Sequence, residues 1–84
     1  MSSIAVTLKL FAAYQEALDQ QELVLTLKPD TTVGALCDRI CSEHPSLEQW
    51  RSITRFGVNL QFVPADTLLQ DGDEVVFIPP VSGG

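Results

Sequence analysis

Eighty-four residues with a formal charge of −6 describe one small domain, able to bury only roughly 60% of its unfolded surface. Eleven acidic residues stand against five basic ones, and the basic ones are scattered, which argues against a phosphate-binding surface for nucleic acid. No apolar run is long enough to cross a membrane and no basic-then-apolar leader opens the chain, so a cytoplasmic protein without membrane contact is expected. The acidic surplus suits steering towards a basic partner protein or simple solubility, and composition does not separate the two.

Taken in chain order, residues 4–10, IAVTLKL, alternate: Ile4, Val6, Leu8 and Leu10 face one way, Ala5, Thr7 and Lys9 the other, as in a half-buried strand. FAAYQEALDQ reads as a short helix or helical turn, being rich in Ala, Glu, Gln and Leu. ELVLTLK alternates again, with Leu23, Leu25 and Leu27 on one face, and stops at Pro29. Thr32 is placed to cap a helix over the following residues, and Pro45 forces His44 out of helical geometry, ending that helix near Ser42 or Glu43. PSLEQWRSI restarts a short helix with Pro at its first position, and Leu47 and Trp50 anchor it. The last third is strand-like in TRFGVNL, QFVP and EVVFIPP, with a turn at Asp71-Gly72. Strand, strand, helix and further strands against one main helix make a two-layer α+β domain.

Two groups invite a metal reading. Cys37, Cys41 and His44 are spaced as Cys-x3-Cys-x2-His, but a structural zinc site needs four ligands and no second Cys/His group exists. Val33, Leu36, Cys37, Ile40 and Cys41 instead form the apolar stripe of an amphipathic helix, where free cysteine serves as a small hydrophobe. Asp71, Asp73 and Glu74 lack the twelve-residue spacing of a calcium loop and read as a solvated turn. No metal is expected.

Internal catalytic signatures are scarce: one His, no Gly-rich phosphate loop before a helix, and no Cys beside a plausible base. The segment without burial logic is the one after Pro80, which closes on Val81, Ser82, Gly83 and Gly84. Glycine is costly to order, yet without a Cβ it can thread a narrow channel, and Pro79-Pro80 stiffens the base of such a tail. Residues 80–84, at up to ~3.5 Å each, reach on the order of 15 Å. The reactive group there is the α-carboxylate of Gly84, a poor electrophile until activated as a mixed anhydride. A domain over 1–80 with a flexible tail over 81–84 is expected.

VNLQFVPADTLLQDGDEVVFIPPVSGG resembles the C-terminal signature of the small, sulfur-carrying subunits of molybdopterin synthase, and LKLFAAYQE and EHPSLEQW resemble further segments of that family. The resemblance implies a β-grasp, ubiquitin-like fold, a mixed sheet against one main helix. It implies that Gly84 is adenylated by an E1-like enzyme that uses ATP, with no cofactor bound by this chain, and then becomes a thiocarboxylate. The tail, from Pro80 through Val81, Ser82 and Gly83, enters the large subunit of a heterotetrameric synthase. Sulfur passes there to cyclic pyranopterin monophosphate to build the dithiolene that later holds molybdenum. The chain acts as a sulfur-donating subunit with no activity alone, since the acid/base groups belong to the partner. Phe11, Leu60 and Phe77 match apolar docking positions, with ordinary core packing as the competing reading. Leu-Gln after Asn59 departs from the Gly or polar turn common in relatives. Two other roles stay open: a sulfur carrier for thiamine or tRNA thiolation, and a ubiquitin-like protein modifier.

Overall fold

The computed structural model describes residues 3–11 and 13–78. Its elements are β1 (Ile4–Leu10), α1 (Ala13–Leu18), β2 (Glu22–Leu27), α2 (Val33–Glu43), a 3-10 turn (Pro45–Leu47), α3 (Glu48–Arg51), β3 (Arg55–Val58), β4 (Gln61–Val63) and β5 (Glu74–Ile78). The five strands form one mixed sheet in the order β2-β1-β5-β3-β4. β1 pairs antiparallel with β2 and parallel with β5, which places the last strand in the middle of the sheet.

α2 forms where the sequence predicts it, and its stripe of Val33, Leu36, Cys37, Ile40 and Cys41 is buried against the sheet. The Thr32 hydroxyl accepts from the Ala35 N–H at 3.1 Å. The Val33 and Gly34 N–H groups donate to the carbonyls of Thr67 and Ala65, both at 2.9 Å. The loop after β4 thus caps the helix, satisfying donors that a helix start leaves open. This close approach requires glycine at 34, since a Cβ there would lie 2.9 Å from both the Ala65 Cβ and its carbonyl oxygen. His44 leaves helical geometry before Pro45 as expected.

The short helix predicted after β1 forms as α1, and it ends where Asp19 takes φ 54 and turns the chain back into β2. Its Tyr14 is fully buried and stacks edge-on against Phe77, with ring centroids 5.4 Å apart. Phe77 meets Phe56 on its other side at 5.6 Å. Thr54 gives its only hydroxyl proton to the Trp50 carbonyl at 2.7 Å, so the Tyr14 hydroxyl is the donor in the 2.6 Å bond to Thr54.

The Cys37 and Cys41 sulfurs lie 3.9 Å apart beside that phenol, both buried. Burial pushes the Cys37 thiol up to about 12 and raises the Tyr14 phenol as well. Among the described residues, no group of three His, Cys, Asp or Glu side chains is placed to hold a metal, and no helix is long and apolar enough to cross a membrane.

Candidate functional site: the outer sheet face at the end of β5

Among the described residues, helices cover only one face of the sheet. On β5, Val75 and Phe77 point into the core while Glu74, Val76 and Ile78 point away from it. β3 continues the pattern: Gly57 lies opposite Val76, and Arg55 lies opposite Ile78. On β4, Phe62 lies across from Gly57. A strand with apolar residues on both faces needs cover on both, and here the second face faces outward.

Because Gly57 has no side chain, its neighbours border a groove of about 180 Å³ lined by Gly57, Leu60, Gln61, Phe62, Val76 and Ile78. The surface is largely apolar and open: Phe62 is 74% exposed and Leu60 93%. β5 runs along it and ends at Ile78, the last described residue before the C-terminal segment. Ile78 itself lines the groove, with Arg55 opposite it on the neighbouring strand.

The β3–β4 turn presents Leu60 by unusual means. Asn59 and Leu60 form a two-residue turn between Val58 and Gln61, at φ 51 and φ 70. Both lie in the left-handed region that such hairpins demand and that normally selects Asn-Gly. Asn59 suits it. Its Nδ2 donates to Asp73 Oδ1 at 2.9 Å, and its Oδ1 accepts from the Glu74 N–H at 3.0 Å. Leu60 does not, because its Cβ crowds the backbone there.

The acidic loop is likewise structural. Asp71 Oδ1 accepts from the Ala5 N–H at 2.8 Å, Asp73 Oδ2 accepts from the Gln70 N–H at 2.8 Å, and the Gly72 N–H donates to the Ala5 carbonyl at 2.7 Å. Gly72 sits at φ 87 with open space around it, the conformation its turn requires. These bonds fix the start of β5 against β1, and Lys9 reaches Glu74 at 3.4 Å at the groove's margin.

Of the three docking positions expected from sequence, the structure brings two to the surface and buries the third. Leu60 borders the groove. Phe11 follows β1 directly and is 50% exposed, in a cleft with Lys9, Gln15 and Glu22. Phe77 has no exposed surface, because it sits at the inward parity of β5 between Tyr14 and Phe56. It is a core residue, and the outward positions of its strand are Val76 and Ile78. Those two and Phe62 are the site residues that sequence reading missed. The signal was present in EVVFI, apolar at every position after its first. Pro80, Val81, Ser82, Gly83 and Gly84, and the expected domain boundary at Pro80, lie outside the described residues.

Comparison with known proteins bears on this arrangement. The profile of the ThiS family matches residues 8–84. The molybdopterin synthase sulfur carrier subunit of Mycobacterium tuberculosis is 37% identical over 82 residues, spanning 96% of this chain and 99% of its own. The corresponding subunit of Arabidopsis thaliana is 31% identical over 83 residues, spanning 99% of this chain and 86% of its own. Among solved structures, SAMP1 from Haloferax volcanii superposes with a TM-score of 0.78 at 26% identity, covering 95% of this chain and 99% of that one. The sheet order and packing are those of the ubiquitin-like β-grasp fold.

Proposed function

The chain belongs to the ThiS family, and from that premise we propose that it is the sulfur-carrying small subunit of molybdopterin synthase. The observation that carries this reading is the full-length similarity to sulfur carrier subunits, which reaches through the family profile to Gly84. The geometry supports it by setting an open apolar groove along β5, reaching to Ile78, its last residue. Both cysteines are buried and so offer no surface nucleophile, which is compatible with a reading in which the Gly84 carboxyl is the reagent.

In this reading an E1-like enzyme adenylates Gly84: its carboxylate attacks the α-phosphate of ATP and pyrophosphate leaves. A sulfur nucleophile then displaces AMP, and the carboxyl becomes a thiocarboxylate. Pro80, Val81, Ser82 and Gly83 carry it into the large subunit, while Leu60, Phe62, Val76 and Ile78 dock on that subunit's apolar surface. The sulfur is transferred to cyclic pyranopterin monophosphate, and hydrolysis returns the carboxylate. The protein works in the cytoplasm and needs no cofactor of its own.

The test is intact-mass measurement after incubation with an E1-like activating enzyme, ATP and a sulfur donor. An oxygen-to-sulfur exchange on the C-terminus, lost when Gly84 is deleted, is the expected result. A Gly84-deleted chain that still supports dithiolene formation with the large subunit would refute the proposal. Conjugation to a lysine without any thiocarboxylate would point instead to a protein modifier, and exchange without binding to the large subunit to a carrier for another thiolation.

A further inference from the structure

The sheet has a second feature that carrier chemistry does not use. β2 is an edge strand, and among the described residues no strand pairs with its outer side. Edge strands in monomeric proteins are usually blunted by a bulge, a proline, a lysine in mid-strand or a very short length. ELVLTL carries none of these over Glu22–Leu27, and its central Val24 is 68% exposed. From this edge we infer that the protein forms a symmetric homodimer, β2 pairing antiparallel with β2 of a second copy.

The register follows from which backbone groups are available. Leu10 donates its N–H to the Gln21 carbonyl, and the antiparallel ladder alternates from there. Leu23, Leu25 and Leu27 therefore aim their N–H and C=O groups at β1, and Glu22, Val24 and Thr26 aim theirs at the open edge. A two-fold axis must then match outward groups with outward groups.

Centred on Leu25, Val24 meets Thr26 of the second copy and exchanges both backbone bonds. Glu22 meets Lys28, with opposite charges facing at both ends of the ladder. On the helix side Leu25 meets its own copy and Leu23 meets Leu27, which covers two leucines that are only half-buried in the monomer. Centred on Val24, Lys28 faces the neutral Gln20 and Glu22 faces Thr26. Centred on Thr26, Glu22 faces Asp30, a like-charge clash. Only the Leu25 register is complementary in backbone, packing and charge together.

Such a dimer joins two sheets and leaves the groove beside β5 open, since β1 separates β2 from β5. One strand pair buries little area against what a tight complex needs, and each copy carries −6. The association is therefore weak and strengthens with salt screening of the net charge.

The experiment is sedimentation velocity on the full chain from low-micromolar to near-millimolar concentration, with amide exchange measured at both ends of that range. A concentration-dependent dimer is expected, with new protection at the Val24 and Thr26 amides. Thr26→Pro removes an outward-facing N–H and no bond to β1, so it should stay folded by circular dichroism and remain monomeric. Lys28→Glu should weaken association by about tenfold, because attractive end pairs become repulsive, and Glu22→Lys combined with Lys28→Glu should restore it. A monomer across the whole range, a dimer that survives Thr26→Pro, or a charge swap that fails to restore association would each overturn the inference. None of these outcomes depends on the sulfur chemistry, so this result and that proposal stand or fall separately.

Discussion

Leu60 sits at φ 70 with 93% of its surface in water, so nothing in the isolated domain compensates its conformational cost. A left-handed conformation costs a side-chain-bearing residue roughly 1–2 kcal/mol, and the second position of this turn type favours glycine. Leu60→Gly should therefore stabilise the domain by about 1 kcal/mol in denaturant unfolding. Under the proposed function, the same change should weaken binding to the large synthase subunit in a direct titration, since it removes an exposed apolar side chain from the groove. Stability and binding moving in opposite directions would mark Leu60 as a residue kept for docking; loss of stability would show that the turn tolerates leucine without strain. The sequence identified this residue through its departure from a common turn, but the strain became visible only with the backbone angle. Phe77 taught the reverse. Its apolar character fitted docking and packing equally, and the one-residue parity of β5 assigned it to the core and Val76 and Ile78 to the surface.

At the scale of elements, α2 was almost wholly legible. The buried stripe, the Thr32 cap and the end before Pro45 all follow from local rules of periodicity, capping and proline sterics. The loop 64–70 was not legible, because its role is tertiary: its carbonyls cap the start of α2, and Leu69 is buried within the core. Gly34 stands at that junction. Alanine there gains helix propensity of about 1 kcal/mol, but its Cβ would press on the Ala65 backbone oxygen at 2.9 Å. Backbone cannot yield as a side-chain tip can, and overpacking typically costs 1–3 kcal/mol. Gly34→Ala should destabilise the protein by roughly 1 kcal/mol net, measurable as a lower unfolding midpoint. Gly57→Ala is the control, because its Cβ would find only ordinary contacts, the nearest at 3.7 Å.

For the molecule as a whole, the buried Cys37 thiol and Tyr14 phenol make stability depend on alkaline pH. Burial raises the Cys37 thiol from 9.0 to about 12 and shifts the Tyr14 phenol upward from 10.0. The folded protein holds protons that the unfolded chain sheds once the pH passes about 9, so folding is favoured fully below that value. Stability should stay level as pH rises to about 9 and then fall steadily towards 12, as followed by thermal unfolding across that window. Cys37→Ala should flatten part of the fall; an unchanged profile would mean that the thiol does not titrate between the two states as its burial requires. The order of elements, the two-layer α+β class and the buried face of the helix were determined by the sequence alone, because each follows from local periodicity. The sequence also directed the functional expectation to the closing glycines, which lie outside the described residues. Only the tertiary structure decided that β5 lies mid-sheet, that its second face forms a groove with Gly57, Leu60 and Phe62, and that β2 is left as an open edge. Those facts depend on strand order and pairing parity between residues far apart in the chain, and side-chain alternation within a single strand carries no record of its neighbours.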